Sequence, residues 1–387
     1  MSVRATGGVV AQIDAIGGFV GEQPLVAAAA LLAVVLVAGM GVWGLSRFRR
    51  SAGERFQRLV GKHNAVTVLM HPNPDPDAMA SAMAAAALAE DAGASATIKY
   101  PGQIRHQENR AFQTVLDQNF QAIETSGDIA DETVVLVDHN EPRGFPGADG
   151  VDPIAVVDHH PGDGEGESFT DVRDDYGACA TIFTKYFETL GWTPNNGEDG
   201  TALEPILATG MMHGIQSDTN NLTKGCSPAE FEAAAYLYRA VDSETLNRVA
   251  NPPVDAEVLD VKARAITNRD VRNAFAVSDV GEVSNVDAIP QAATELLRLE
   301  GVTAVVVTGT CEGTLHLSGR SGDDRVHMGK ALKAAVEDIP MAQAGGHARM
   351  GGGQLSVDHM EGIGPGDGVS FEEFTDRLFE AMTGELQ

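Results

Sequence analysis

Three clusters of aspartate and histidine each follow a short apolar run that is rich in β-branched residues. The runs occupy residues 65–70, 133–137 and 154–157. Runs of this length predict buried strands. Because helical patterns alternate with the strands, we expect an α/β domain with a parallel sheet that has helices on both faces. The clusters would then meet at the carboxyl edge of the sheet, where open α/β sheets bind ligands.

The clusters consist mainly of carboxylates and imidazoles. They read His71-Pro-Asn-Pro-Asp75-Pro-Asp77, then Asp138-His139, then Asp158-His159-His160. Oxygen and nitrogen ligands at this density suit Mn²⁺ or a similar divalent ion. The pattern therefore predicts a hydrolase that uses two metal ions.

Each cluster also has an ordinary structural interpretation when it is taken alone. The prolines at 72, 74 and 76 stiffen the first cluster in an extended form, which also fits a surface turn. In the second cluster His139 fits a loop residue, and we do not assign it as a ligand. In the third, Asp158 fits a residue that orients a neighbouring imidazole.

An uncharged stretch, Leu25–Leu45, has about the length that spans a bilayer. Four arginines follow it between residues 47 and 55, so the positive-inside rule places the rest of the chain in the cytoplasm. Residues 1–24 would form a short extracytoplasmic segment. A buried core helix is the alternative, whereas a cleaved signal peptide would carry its basic residues before the apolar stretch. We therefore expect a single-pass protein of the cell membrane.

The formal net charge of -28 at pH 7 limits the choice of partners. A chain this acidic repels phosphate polymers at long range unless salt or metal ions intervene, which argues against long duplex nucleic acid. Acidic residues spread along the whole chain and scarce lysine are typical of haloarchaeal proteins. Cys179, Cys226 and Cys311 lack C-x-x-C spacing and predict neither a disulfide framework nor a zinc ribbon.

The patterns divide the remaining chain into two domains. Residues 46–241 hold the three clusters, 242–270 form a polar helical connector, and 271–387 form a smaller α/β unit. The second domain contains a glycine-rich stretch at 345–353 and ends in an amphipathic helix.

The order of the clusters, followed by Gly214-Ile-Gln-Ser-Asp218-Thr219, resembles the four motifs of the DHH phosphoesterase family. The glycine-rich stretch at 345–353 resembles the phosphate-binding motif of the DHHA1 domain that accompanies it. The resemblance extends from about Val60 to Met382.

This resemblance implies two Mn²⁺ ions and a role for each matching residue. One ion would be held by His71, Asp75 and Asp138, and the other by Asp77, Asp138, His159 and Asp218. His160 would contact the scissile phosphate, and Asp158 would support the neighbouring imidazole without contacting the substrate itself. The substrate-binding residues implied in the second domain are Arg320, Ser321, Gly345, Gly346, His347, Gly351 and Gly352.

The function implied is hydrolysis of small nucleotides by a metal-bridging hydroxide in a membrane-anchored enzyme. The substrates would be cyclic-di-AMP, linear dinucleotides, short oligoribonucleotides or 3′-phosphoadenosine-5′-phosphate. A RecJ-like single-strand exonuclease is an alternative, but a 5% aromatic content and the negative charge disfavour it. A non-catalytic nucleotide sensor is another alternative, disfavoured because every expected ligand position is filled. A homodimer is compatible with the sequence.

Overall fold

The computed structural model describes residues 50–104, 106–129, 132–194, 201–323, 325–363 and 368–385, together with Leu32, Val35 and Leu36. The predicted membrane span at 25–45 lies outside the described residues except for those three, and so does the segment 1–24. Among the described residues, no helix has both the length and the apolar character needed to cross a bilayer. The span therefore stays a prediction.

The chain divides into two compact units. The first contains the residues up to 104 and 112–250, and the second contains 251–387 with the short segment 105–111. The boundary falls inside the predicted connector, but the helices there are not a free linker. Ser243–Ala250 buries Val249 in the first unit and Ala256–Thr267 buries Val261 in the second, because each helix has one apolar face.

The first unit is built on a six-stranded sheet, which is parallel as the sequence predicts. Its strands are β1 (Ala65–Leu69), β2 (Ser95–Pro101), β3 (Gln121–Ile123), β4 (Val134–Val137), β5 (Ala155–Asp158) and β6 (Phe169–Val172). Their order is β3-β2-β1-β4-β5-β6, and every neighbouring pair is parallel. The order reverses between β1 and β4, which creates a switch point where ligands commonly bind.

Helices cover one face of this sheet. They are α1 (Ala52–Val60), α2 (Pro76–Asp91), α3 (Gln107–Val115), α4 (Cys179–Thr189), α5 (Pro205–Asp218), α6 (Pro228–Leu237) and α7 (Ser243–Ala250). The alanine-rich α2 is almost entirely buried, because its small side chains let α5 approach closely. Asp75 caps its N-terminus, and Pro76 occupies its first position.

The expectation of helices on both faces of this sheet is wrong. Alternate strand residues such as Leu136 and Val156 face a second core cluster, formed with Ile129, Phe145 and Ala148. Among the described residues this face is covered by loops and two 3-10 helices. Right-handed crossovers put the connections after β4 on this side. The Gly/Pro-rich connection between β4 and β5 holds only a short 3-10 helix, Ala148–Gly150.

The second unit has a mixed six-stranded sheet with helices on both faces. Its strands are β7 (Asp270–Arg272), β8 (Phe275–Glu282), β9 (Ala304–Cys311), β10 (Thr314–Ser321), β11 (Gln343–Gly346) and β12 (Met350–Ser356). Its helices are α8 (Ala256–Thr267), α9 (Ala288–Leu296), α10 (Met328–Val336), α11 (Val357–Met360) and α12 (Phe371–Thr383). The glycine-rich stretch is an antiparallel hairpin of β11 and β12.

Candidate active site

The three predicted clusters converge at the carboxyl edge of the first sheet. β1 and β4 are neighbours at the switch point, and β5 lies beside β4. The residues that follow these strands therefore share one edge, as parallel strands require. Three groups of side chains have ligand atoms within 4.8 Å of one another: His71, Asp75 and Asp138; Asp77, His159 and Asp218; and Asp138, His159 and His160.

Asp138 lies at the centre of the site. Its carboxylate is buried, with Oδ2 3.4 Å from Nε2 of His71 and Oδ1 3.3 Å from Nε2 of His159. Its backbone is left-handed, with φ of 61°, and its N–H donates to the Val157 carbonyl at 3.0 Å. Burial alone would raise the pKa of Asp138. The neighbouring His159 and His71 lower it by more than burial raises it, so the pKa is lowered overall and this carboxylate stays ionised.

His71 and Asp75 form one side of the site. Nδ1 of His71 donates to the Pro72 carbonyl at 3.0 Å, which leaves Nε2 directed at the carboxylates. Oδ1 of Asp75 caps α2 by accepting the N–H groups of Asp77 and Ala78, while Oδ2 lies 3.7 Å from His71 Nε2. One carboxylate therefore both starts the helix and faces the site.

Asp77 is completely buried between two helix N-termini. It belongs to the first turn of α2, and its carboxylate accepts the N–H of Cys179 at 2.6 Å and of Ala180 at 3.0 Å. These N–H groups begin α4, whose N-cap residue Ala178 supplies no side-chain hydrogen bond. Asp77 thus caps a helix distant in the sequence. Burial and the charge of Asp138 raise its pKa.

His159 and Asp218 complete the other side of the site. Nδ1 of His159 donates to the Tyr176 carbonyl at 3.2 Å. Its Nε2 lies 3.5 Å from Asp218 Oδ2 and 3.9 Å from Asp77 Oδ2. Burial lowers the pKa of His159, but Asp138 and Asp218 raise it to about 12 overall. Burial raises the pKa of Asp218 to about 6, against the opposing effect of His159.

His160 and Asp158 form a pair at the open side of the site. Nδ1 of His160 donates to Oδ1 of Asp158 at 2.9 Å, and that oxygen also accepts the N–H groups of residues 159 and 160. Asp158 is buried, whereas the His160 side chain is 48% exposed. The hydrogen bond to Asp158 raises the pKa of His160. His160 is therefore held in place with its other ring nitrogen left for a ligand.

The arrangement fits divalent cations. Among the described residues, both carboxylate oxygens of Asp138 and Nε2 of His159 are buried without a hydrogen-bond partner. Unpaired buried polar atoms are costly unless a ligand satisfies them. Their oxygen and nitrogen chemistry suits a metal ion such as Mn²⁺. Their assignment as ligands stays a prediction.

Several groups hold the site together in ways that the sequence did not indicate. Gly214 on α5 brings this helix against α2: a Cβ there would lie 2.9 Å from the Ala80 Cβ and 3.2 Å from the Asp77 Cα. The carbonyl of Tyr176 orients His159. Backbone groups act in the same way whatever their side chains, so no residue type could have revealed them. His139, left unassigned, is buried and donates from Nδ1 to the Val137 carbonyl.

Comparison with known families agrees with this geometry. The N-terminal domain of the DHH family matches residues 65–215, and the DHHA1 domain matches residues 272–364. The chain belongs to the DHH family. The DHH domain falls mainly in the first unit and the DHHA1 domain in the second.

Two relatives illustrate the extent of the similarity. An uncharacterized protein of Methanocaldococcus jannaschii is 36% identical over 280 residues, which are 71% of this DHH protein and 55% of the relative. The chain thus spans about half the length of that relative. An exopolyphosphatase-related protein from Bacteroides fragilis has a TM-score of 0.59 at 13% identity, with coverage of 86% of this chain and 96% of that chain. At this identity the likeness shows a shared fold.

In the DHHA1 domain, Arg320 and Ser321 lie at the end of β10. Arg320 is half-buried, and its Nη1 donates to the Ser318 hydroxyl and the Gly319 carbonyl. Among the described residues it has no carboxylate partner, so its charge remains available to an anion. The Ser321 hydroxyl is buried and donates to the Asp323 carbonyl at 2.6 Å. A substrate would have to displace that bond to use this hydroxyl.

The predicted glycines of the hairpin fall into two groups. A Cβ at Gly346 would lie 2.3 Å from the Met350 carbonyl oxygen, and one at Gly351 would lie 3.0 Å from Leu332. Packing alone accounts for both. Gly345 and Gly352 pair across the ladder and have no atom within 3.5 Å of an added Cβ. This pair, beside the exposed His347 at the hairpin turn, leaves backbone open to a ligand.

Proposed function

We propose that this DHH protein is a phosphoesterase that hydrolyses small nucleotides or short oligonucleotides with two Mn²⁺ ions. The observation that carries the proposal is Asp138, a buried carboxylate whose two oxygens accept no hydrogen bond among the described residues and lie 3.3 to 3.4 Å from His159 and His71. A carboxylate in this position suits a ligand shared by two cations. The proposal includes a membrane anchor at residues 25–45, which would hold the enzyme at the cell membrane.

We infer two ligand sets that share Asp138. His71 and Asp75 would complete one set, and the other would contain Asp77, His159 and Asp218. Two divalent ions, when bound, supply Lewis acidity and lower the pKa of water at the site. The Pro72 and Tyr176 carbonyls fix the tautomers of the two histidines so that Nε2 is the ligand atom.

His160 would bind the phosphoryl group of the substrate. Asp158 holds its Nδ1 and favours the protonated ring. A protonated imidazole at the open side of the site can donate a charge-assisted hydrogen bond from Nε2 to a phosphoryl oxygen. Asp158 itself is buried and acts through His160.

The DHHA1 domain would bind the rest of the nucleotide. Arg320 offers a planar guanidinium without an acidic partner among the described residues, which suits phosphate. Gly345 and Gly352 offer accessible backbone beside His347. These groups would set substrate affinity.

A direct test compares hydrolysis of four substrates by the full chain in detergent, with Mn²⁺ and high salt. The substrates are cyclic-di-AMP, the linear dinucleotide pApA, a short RNA and 3′-phosphoadenosine-5′-phosphate, with an Asp138→Asn variant as the control for contaminating activity. Turnover of any of them that depends on Asp138 supports the proposal, and the preferred one identifies the substrate class.

Two outcomes would replace the proposal. Efficient degradation of long single strands, with little turnover of dinucleotides, would indicate a RecJ-like exonuclease. Tight nucleotide binding without turnover in any divalent metal would indicate a sensor.

A further inference from the structure

The first helix carries a basic surface that the metal site does not use. Arg55 and Arg58 are three residues apart, so they project from the same side of α1, and Lys62 lies in the turn that follows this helix. Together with Arg50 they line a surface cavity of about 390 Å³. We call these four residues the basic face.

The positively charged side chains of the basic face have few acidic side chains near them. Among the described residues, none of the four forms an ion pair with a carboxylate, and Glu167 is the only acid that lines the cavity. Glu54 and Asp91 line a neighbouring cavity with Arg58 and Lys62, but the Glu54 carboxylate accepts the N–H of Ser51 and the Asp91 carboxylate accepts the side-chain amide of Gln57. The positive charge is therefore left for an external anion.

This surface is held rigidly. The opposite side of α1 is anchored by Phe56, which is fully buried and contacts the rings of Phe169, Phe183 and Tyr186 at 5.7 to 5.8 Å between centroids. The Arg55 guanidinium lies over the Phe169 ring, 5.4 Å from its centroid. A fixed helix loses less entropy on binding than a loose basic tail would.

The concentration of charge is unusual for this chain. Six of its 27 lysines and arginines fall between residues 47 and 62, where Glu54 is the only acid, although the net charge of the whole chain is -28. The uncharged stretch 25–45 ends just before this segment. Basic residues beside an apolar segment are attracted to anionic lipid headgroups.

The basic face and the predicted metal ligands lie at opposite edges of the same sheet. We call these predicted ligands the metal cluster. Lys62 precedes β1 and Phe169 begins β6, which places the basic face at the amino edge. His71 and Asp138 follow β1 and β4 at the carboxyl edge. The five residues of β1 separate the edges by about 17 Å at about 3.3 Å per residue. A surface bound to the basic face would leave the metal cluster open to substrate.

We propose that the basic face binds the anionic headgroups of a lipid surface and holds the DHH domain against it, with the metal cluster directed away. An oligonucleotide held in the metal cluster fits this face less well, because it would have to extend around the domain to the far edge. The inference does not depend on the substrate of the enzyme.

The test measures binding of the full chain to two kinds of vesicle by co-flotation in 0.1 M NaCl. One contains phosphatidylcholine alone, and the other contains phosphatidylcholine and phosphatidylglycerol at 7:3. Insertion of the apolar stretch contributes to both affinities, so their ratio measures the effect of headgroup charge alone. The variant is Arg55→Gln/Arg58→Gln/Lys62→Gln. The matched control, Lys262→Gln/Arg298→Gln/Lys333→Gln, removes the same charge from the DHHA1 domain.

The wild type should prefer the anionic vesicles. Each basic residue near an anionic membrane contributes about fivefold, so the triple variant should lose on the order of 100-fold in this preference, and Lys62→Gln alone about fivefold. The control should retain the preference. In 1 M NaCl the preference should largely vanish, because the Debye length falls from about 10 Å to about 3 Å. Hydrolysis of bis-p-nitrophenyl phosphate should be unchanged in the triple variant, which shows that it folds.

Three results would overturn the proposal. The first is a preference that the folded triple variant retains. The second is loss of preference in the presence of 10 mM inorganic phosphate, which indicates a site for free phosphate. The third is a triple variant that loses affinity for a single-stranded RNA while its vesicle preference persists, which indicates a nucleic-acid surface.

Discussion

At the scale of single residues, the backbone at Asp138 matters as much as its carboxylate. Its left-handed conformation, with φ of 61°, directs the side chain into the space between His71 and His159. Aspartate and asparagine tolerate this conformation, whereas other side chains are strained in it by about 1–2 kcal/mol. Asparagine is therefore a cleaner replacement than alanine, because it changes the charge and retains the backbone preference.

Asp138→Asn should lower kcat/KM by on the order of 10³-fold or more, since it would remove the charge that we propose both metal ions share. Steady-state hydrolysis and metal content would be measured together. Asp117→Asn is the matched control, because exposed Asp117 has the same left-handed backbone, with φ of 53°. Near-normal turnover by folded Asp138→Asn would contradict the two-metal assignment.

Metal binding should tighten as pH rises. Burial lowers the pKa of His71, but Asp138 and Asp75 raise it to about 11, and corresponding carboxylates raise that of His159 to about 12. Both rings are therefore protonated at neutral pH in the metal-free protein, and each must lose a proton to bind a cation. Affinity for Mn²⁺ should increase about tenfold per pH unit for each proton released.

Calorimetric titration of the metal-free chain at pH 6.5 and 8 would measure this effect. Repeating it in two buffers with different ionisation enthalpies counts the protons released. An affinity that does not change with pH, with no protons released, would rule out the histidines as ligands.

At the scale of the secondary-structure elements, the site depends on the close approach of two buried helices. α2 carries Asp77, and α5 ends at Asp218. Gly214 permits the approach, because its missing side chain would otherwise meet the backbone of α2 at Asp77. The packing of these helices therefore sets the distance between the carboxylates.

Gly214→Ala should destabilise the protein by about 1–3 kcal/mol through overpacking, although alanine favours helix by about 1 kcal/mol. It should also weaken Mn²⁺ binding. Thermal unfolding and metal titration are the measurements. Gly210→Ala, in the same helix, is the control, because its Cβ would meet only the ends of side chains at 3.2 to 3.4 Å. Equal stability of the two variants would show that the helices can separate without cost.

At the scale of the whole molecule, the proposed function assigns catalysis to the DHH domain and most of substrate recognition to the DHHA1 domain. The predicted metal ligands all belong to the first unit, and the predicted substrate-binding residues belong to the second. A small synthetic ester should need only the first set, whereas a dinucleotide should need both.

Arg320→Gln should raise KM for a dinucleotide by about tenfold, in line with loss of one charge-assisted contact, and leave kcat nearly unchanged. Hydrolysis of bis-p-nitrophenyl phosphate should be unaffected. Arg298→Gln is the control, since Arg298 is exposed and pairs with Glu295. A fall in kcat with constant KM would argue against a binding role for Arg320.

The sequence by itself determined the parallel sheet, and it singled out the residues that we predict to bind metal. β1, β4 and β5 are recognisable in the sequence as apolar runs rich in β-branched residues. Because the strands are parallel, their carboxyl ends lie at one edge of the sheet. It did not reveal the short strands β3, β6 and β7, because they contain no continuous apolar, β-branched run.

Only the tertiary structure decided how the cluster is held and what covers the sheet. The N–H groups of Cys179 and Ala180 and the carbonyl of Tyr176 act through the backbone, which leaves no signal in residue type. The same holds for the hairpin glycines. Only the folded hairpin shows that neighbouring atoms crowd Gly346 and Gly351, whereas Gly345 and Gly352 are open. Periodicity reports which residues are buried, and the fold alone specifies the atoms that they meet.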